Sequence, residues 1–111
     1  MSKLHDMKAI FAQDLRERCG IVPDMALLDW VMRALGPLML APKSAQISDH
    51  DDTALHKAVA SFMSRHHLPT ALVQPMVLAI KDSYPSPQRY RAVITYLIAQ
   101  NFALPSRSAG H

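Results

Sequence analysis

The stretch Ser86-Pro87-Gln88-Arg89-Tyr90-Arg91-Ala92-Val93-Ile94-Thr95-Tyr96-Leu97-Ile98-Ala99-Gln100-Asn101-Phe102 has a single polar residue, Thr95, between Ala92 and Ala99. A helix built from it has no face that water solvates well, so it belongs at the centre of the fold. A buried strand competes, because Val93, Ile94, Thr95 and Tyr96 all favour extended backbone and a short apolar run does not fix its own period. Length and punctuation favour the helix. Ser86 is a good N-cap, Pro87 suits the first helical position, and Pro105 closes a segment too long for an ordinary strand. The expected helix runs from about Pro87 to Ala103, with no sheet in the chain.

Working outward, a length of 111 residues gives one domain with one core, expected over residues 1–104. The tail Pro105 to His111 has nothing to bury and is expected to fray. At 50% hydrophobic and 19% charged, the composition is that of a globular protein. No apolar run approaches the roughly 18 residues of a membrane span, and no apolar leader follows Met1-Ser2-Lys3-Leu4-His5-Asp6-Met7, so the expected location is cytoplasmic. A single cysteine, Cys19, forms no internal disulfide and agrees with a reducing compartment. The formal charge of +3 is spread along the chain instead of gathered in a block, which makes nucleic acid an unlikely partner.

The first helix is expected from Lys3 to Arg18, with Leu4, Met7, Phe11 and Leu15 in one stripe, Ile10 off it, and Gly20 as a left-handed stop. Cys19 reads either as a thiolate favoured by Arg16 and Arg18 or as a small buried hydrophobe; no second cysteine or triad-like context supports the first. The second helix starts near Pro23 and ends at Leu35 before Gly36-Pro37, burying Leu27, Leu28, Val31, Ala34 and Leu35. Trp30 lies at the margin of that face, as the edge of the core or an exposed anchor. Leu38-Met39-Leu40 suits one helical turn lidding the core, and Lys43 to His50 reads as polar loop.

The third helix spans Asp52 to His66, capped by Ser48, Asp49 or Asp51 and burying Leu55, Ala58, Val59, Phe62 and Met63. Asp52 and His56 lie one turn apart, but no second histidine stands at the turn-spaced position Ala60, so no metal is assigned. His66-His67 suits the negative end of the helix dipole. A fourth helix lies between Pro69 and Tyr84, with Leu72, Val73, Met76, Val77 and Ile80 inward. Pro75 makes a start near Leu72 cheaper than a kink. The expected architecture is thus all-α, a compact bundle of about five helices around a buried C-terminal one.

Cys19-Gly20, then Pro23-Asp24-Met25-Ala26-Leu27-Leu28, Leu35-Gly36-Pro37, and downstream Tyr84 with Tyr90-Arg91-Ala92-Val93, resemble the small bacterial proteins of the domain of unknown function 2853 family. The likeness keeps order and spacing over nearly the whole chain. It implies a compact helical fold in a small bacterial cytosolic protein and no assigned activity. The chain departs from the pattern at Val22, in the connection from Leu38 to Asp52, and at Pro75.

Three functional classes follow. Ile10, Met25, Trp30, Met32 and Met39 fall outside the tightest stripes, and seven methionines give an adaptable surface. That favours a protein-interaction or scaffold module, with a protein partner or homo-oligomer and an interface at Trp30, Met25 and Met32. An alternative is a small anion or small molecule at the start of the last helix, held by Ser86, Arg89 and Arg91, where the dipole disfavours cations that nothing compensates; ordinary ion pairs with Asp82, Asp14 or Glu17 compete with it. An enzyme would have to use His56 with Asp52, or Cys19 with a remote histidine, and neither has a third partner. No catalytic residue, cofactor or metal is therefore assigned.

Overall fold

The computed structural model describes residues 3–36, 46–48 and 50–104, with side chains described from Asp6 onward. Among them are five α-helices and one two-stranded sheet: α1 (Lys3–Arg18), α2 (Met25–Leu35), β1 (Gln46–Ser48), α3 (Asp52–Arg65), α4 (Val73–Ser83), β2 (Gln88–Tyr90) and α5 (Arg91–Asn101). The fold is all-α apart from that small antiparallel ladder, in which Gln46 faces Tyr90, Ile47 faces Arg89 and Ser48 faces Gln88. The Leu38 to Leu40 turn, Asp49 and the tail from Pro105 lie outside the described residues.

α5 is the hub. Ala92, Val93, Ile94, Thr95, Tyr96, Ile98 and Ala99 are buried on it, and α1, α2, α3 and α4 all pack against it. Its one polar core residue is satisfied locally, the Thr95 hydroxyl donating to the Arg91 carbonyl at 2.8 Å. Tyr96 buries its ring and accepts from the Asp24 backbone N–H at 2.7 Å, which ties the centre of α5 to the start of α2.

The start of α5 differs from expectation. The chain is extended through Gln88, Arg89 and Tyr90, and the helix begins at Arg91, not Pro87. Pairing outside the segment explains the delay: Gln88, Arg89 and Tyr90 face Ser48, Ile47 and Gln46 in the ladder, and the buried Arg89 reaches back to the Tyr84 carbonyl. Ser86 caps no helix; its Oγ donates to the Gln88 carbonyl at 2.7 Å. The ladder partner comes from the stretch read as polar loop, where Ile47 is only 3% exposed and anchors β1 in the core.

The other elements follow the sequence closely. Asp24 caps α2 by accepting from the Ala26 and Leu27 N–H groups at 3.0 and 3.2 Å, so the helix starts at Met25, two residues later than expected. Asp51 caps α3 by accepting from Ala54 at 2.9 Å. α4 starts late, after a 3₁₀ turn at Thr70–Leu72, which puts Pro75 in the first helical turn where a missing N–H costs nothing. Leu72, expected inward, is instead 41% exposed, because that turn rotates it off the buried face of α4. α3 and α5 end alike. Leu68 N–H reaches the Met63 carbonyl and His67 N–H that of Ser64, while Leu104 reaches Ala99 and Ala103 reaches Gln100. Both are Schellman closures with His67 and Ala103 in the left-handed region at φ +57°.

Candidate functional site

Between α1 and the turn leading into β2 lies a buried polar network. The Tyr84 hydroxyl donates to Asp14 Oδ2 on α1 and accepts from the Tyr90 N–H at 3.0 Å. Burial, then the bond to Asp14, pushes the Tyr84 phenol far above its usual range. Asp14 also pairs with Arg18 at 3.8 Å. Cys19 sits within reach of the same carboxylate, and burial followed by Asp14 raises its thiol to about 11. Of the two readings of Cys19, the buried one fits: both causes favour the protonated thiol of a half-buried side chain.

Arg89 is 2% exposed, and its Nε donates to the Tyr84 carbonyl at 2.8 Å. With Lys81, Pro85, Ser86 and Pro87 it lines an open hollow of about 470 Å³. Lys81 Nζ meets Asp52 Oδ1 and Oδ2 at 3.1 and 3.2 Å. The structure thus brings Ser86 and Arg89 together, although neither occupies a helical first turn. Arg91 does open α5 but is not part of the hollow's lining; burial and then the nearby Arg65 pull its guanidinium below the ordinary value. Lys81 was missed, because Pro85 and Pro87 decide only in three dimensions which earlier residue the turn folds onto.

A second surface lies between α4 and α5. Two adjoining hollows of about 230 and 250 Å³ share Met76, Ala79 and Asn101, and between them are lined by Leu72, Pro75, Leu97 and Phe102. Each is smaller than the roughly 300–1,000 Å³ of small-molecule sites and better matched to single side chains. Leu72, 41% exposed, leaves apolar surface in this groove, while Leu78 at 55% exposure lies on another side of α4.

The expected interface residues separate. Met32 is 5% exposed and belongs to the core: at the end of α2 it turns inward beside Val31 and Leu35. Trp30 is half-buried against Phe62 and His66, the core-margin placement, with ring centroids at 6.5 and 5.4 Å. Met25, 41% exposed, remains on the surface with Val22 and Ile10. His56 and Asp52 gather no further ligand: among the described residues no group of three His, Cys, Asp or Glu side chains is placed to hold a metal ion. Among those residues, too, no helix is long and apolar enough to cross a membrane.

Comparison with known proteins bears on the whole of this architecture. The model of a family described as a protein of unknown function, DUF2853, matches residues 10–106. The chain belongs to the DUF2853 family. The match runs from the middle of α1 past the end of α5, so every element of the Asp14–Tyr84–Arg89 network and all three surface hollows described for this DUF2853 chain fall within it. Among curated proteins none matches the chain.

Proposed function

We propose that this DUF2853 protein is an interaction module that receives an amphipathic helix of another protein in the groove between α4 and α5. One observation carries the reading: the groove is lined mainly by Leu72, Pro75, Met76, Ala79, Leu97 and Phe102, with uncharged Asn101, Gln100 and Ser83 at its lip. Apolar floor and neutral polar rim are what a helix needs to seat anchors at turn spacing. The Ser83 hydroxyl has no histidine, carboxylate or amine beside it among the residues lining the groove. A single cysteine with no second one to pair with fits work in a reducing, cytoplasmic setting.

The test compares the wild type with Ala79→Glu, which places a charge on a residue that lines both hollows of the groove. Partners captured from the native cell by the wild type are expected to be lost from the variant, and circular dichroism checks that the fold survives. Partners retained by both proteins would overturn the groove assignment. Sedimentation velocity over a dilution series distinguishes a second copy of the chain as the occupant.

A small anion at the Lys81–Ser86–Arg89 hollow is the second reading, favoured by the convergence of two cations on one open depression. It ranks below the first because Lys81 is engaged by Asp52, Arg89 by Tyr84, and the Ser86 hydroxyl by Gln88. Phosphate raising the melting temperature more than chloride of equal ionic strength would support it, provided Lys81→Gln removes the difference. Equal shifts would dismiss it.

A further inference from the structure

The C-terminal end of α3 meets α2 through three rings. Phe62 on α3 and His66, the residue that closes the helix one turn later, have centroids 4.4 Å apart with planes tilted by 39°. Trp30 of α2 lies 5.4 Å from His66 and 6.5 Å from Phe62. His66 is also the residue at which the helix closes, its backbone N–H bonding to the Phe62 carbonyl before His67 turns the chain left-handed. A titratable ring therefore forms part of an interhelical apolar contact at a point where the chain changes direction.

We infer that the Trp30–Phe62–His66 cluster is a pH-sensitive latch, closed between α2 and α3 while the imidazole is neutral and loosened when it takes a proton. The groups around His66 set the direction. On its own element Arg65 and His67 are both cationic or able to become so, and burial, then Arg65, then His67 hold the imidazole below its ordinary value. From α2 it meets the Trp30 ring; Asp29 and Arg33, beside Trp30 in sequence, pair with each other at 3.9 Å. From α5, Arg91 acts on Arg65 and is not among the groups that shift His66. The ring faces and the terminal carbonyls of α3 attract a cation, but burial and two basic neighbours outweigh them.

The pH window follows from that direction. A lowered value in the closed form means that the open form binds the proton first. The closed form is at full strength above about pH 6.5, the ordinary histidine value, and weakens as pH falls through the lowered one.

The chain contains its own reporter, since Trp30 is the only tryptophan. Emission of the full chain is followed from about pH 8 to about pH 4.5 for the wild type, His66→Gln and His67→Gln. The wild type and His67→Gln are expected to show a red shift of the emission maximum with a midpoint below about 6.5, and His66→Gln none in that range. Loss of intensity without a red shift would mean that a protonated ring quenches a closed cluster, and would overturn the latch. A red shift that persists in His66→Gln would overturn it equally. Because His66→Gln could unfold, carbon-detected titration of the His66 ring in the wild type gives an independent reading: a midpoint below about 6.5 is expected, and one at or above it refutes the inference.

Discussion

Tyr84 joins three segments through two oxygen atoms. Its hydroxyl links Asp14 on α1 to the backbone of Tyr90, and its carbonyl receives Arg89. Removing only the hydroxyl would leave a shielded carboxylate and a backbone N–H without this partner, so Tyr84→Phe is expected to lower stability by about 1–3 kcal/mol in chemical denaturation. Cys19 gives a pH prediction of the opposite sense to His66. Its thiol value is raised in the folded chain, from 9.0 to about 11, so its contribution is intact below about 9 and is lost as pH rises toward 11. Cys19→Ala is expected to flatten the stability profile between those values. Iodoacetamide should label the native thiol at pH 7 far more slowly than the unfolded one. The buried placement of Cys19 was one of the two readings its sequence offered; the roles of Tyr84 and of Asp14 were not legible, because Arg16 and Arg18 stand nearer to Cys19 in the chain and Tyr84 meets Asp14 from 70 residues away.

The helices were legible because their signals are local. Leu55, Ala58, Val59, Phe62 and Met63 mark the buried side of α3, and Asp51 was among the caps foreseen. Asp24→Ala and Asp51→Ala are each expected to cost about 1 kcal/mol. Pro75→Ala should change stability by less than about 1 kcal/mol, because the proline occupies the first turn of α4, where it breaks no helical bond. Thermal or urea unfolding checks all three, and a large loss at Pro75 would contradict a late helix start. The strands were not legible. Three residues are too few to display a period of two, and β1 is separated from β2 by two helices, so pairing Ile47 with Arg89 requires contacts distant in sequence.

For the molecule as a whole, the decisive quantity is the apolar surface that α5 buries. Ile98 and Val93 are fully enclosed, and Ile98→Ala is expected to cost about 2–5 kcal/mol, measured by urea unfolding, with the spread set by how far the surrounding helices collapse onto the cavity. A loss below about 1 kcal/mol would show that α5 is not the shared core. The exposed ion pairs, such as Lys8 with Asp29 at 3.5 Å, are worth little beside this.

The sequence by itself determined that the chain is helical, most of the residues in its buried stripes, and that the segment around Thr95 lies at the centre, because hydrophobic period and capping act over one or two turns. Only the tertiary structure decided that residues 88–90 are extended, that Met32 turns inward, that Arg89 and Lys81 share a hollow, and that α4 and α5 leave a groove between them. Those outcomes depend on which distant surfaces meet, and the free energy of that meeting is not encoded in any short window of residues.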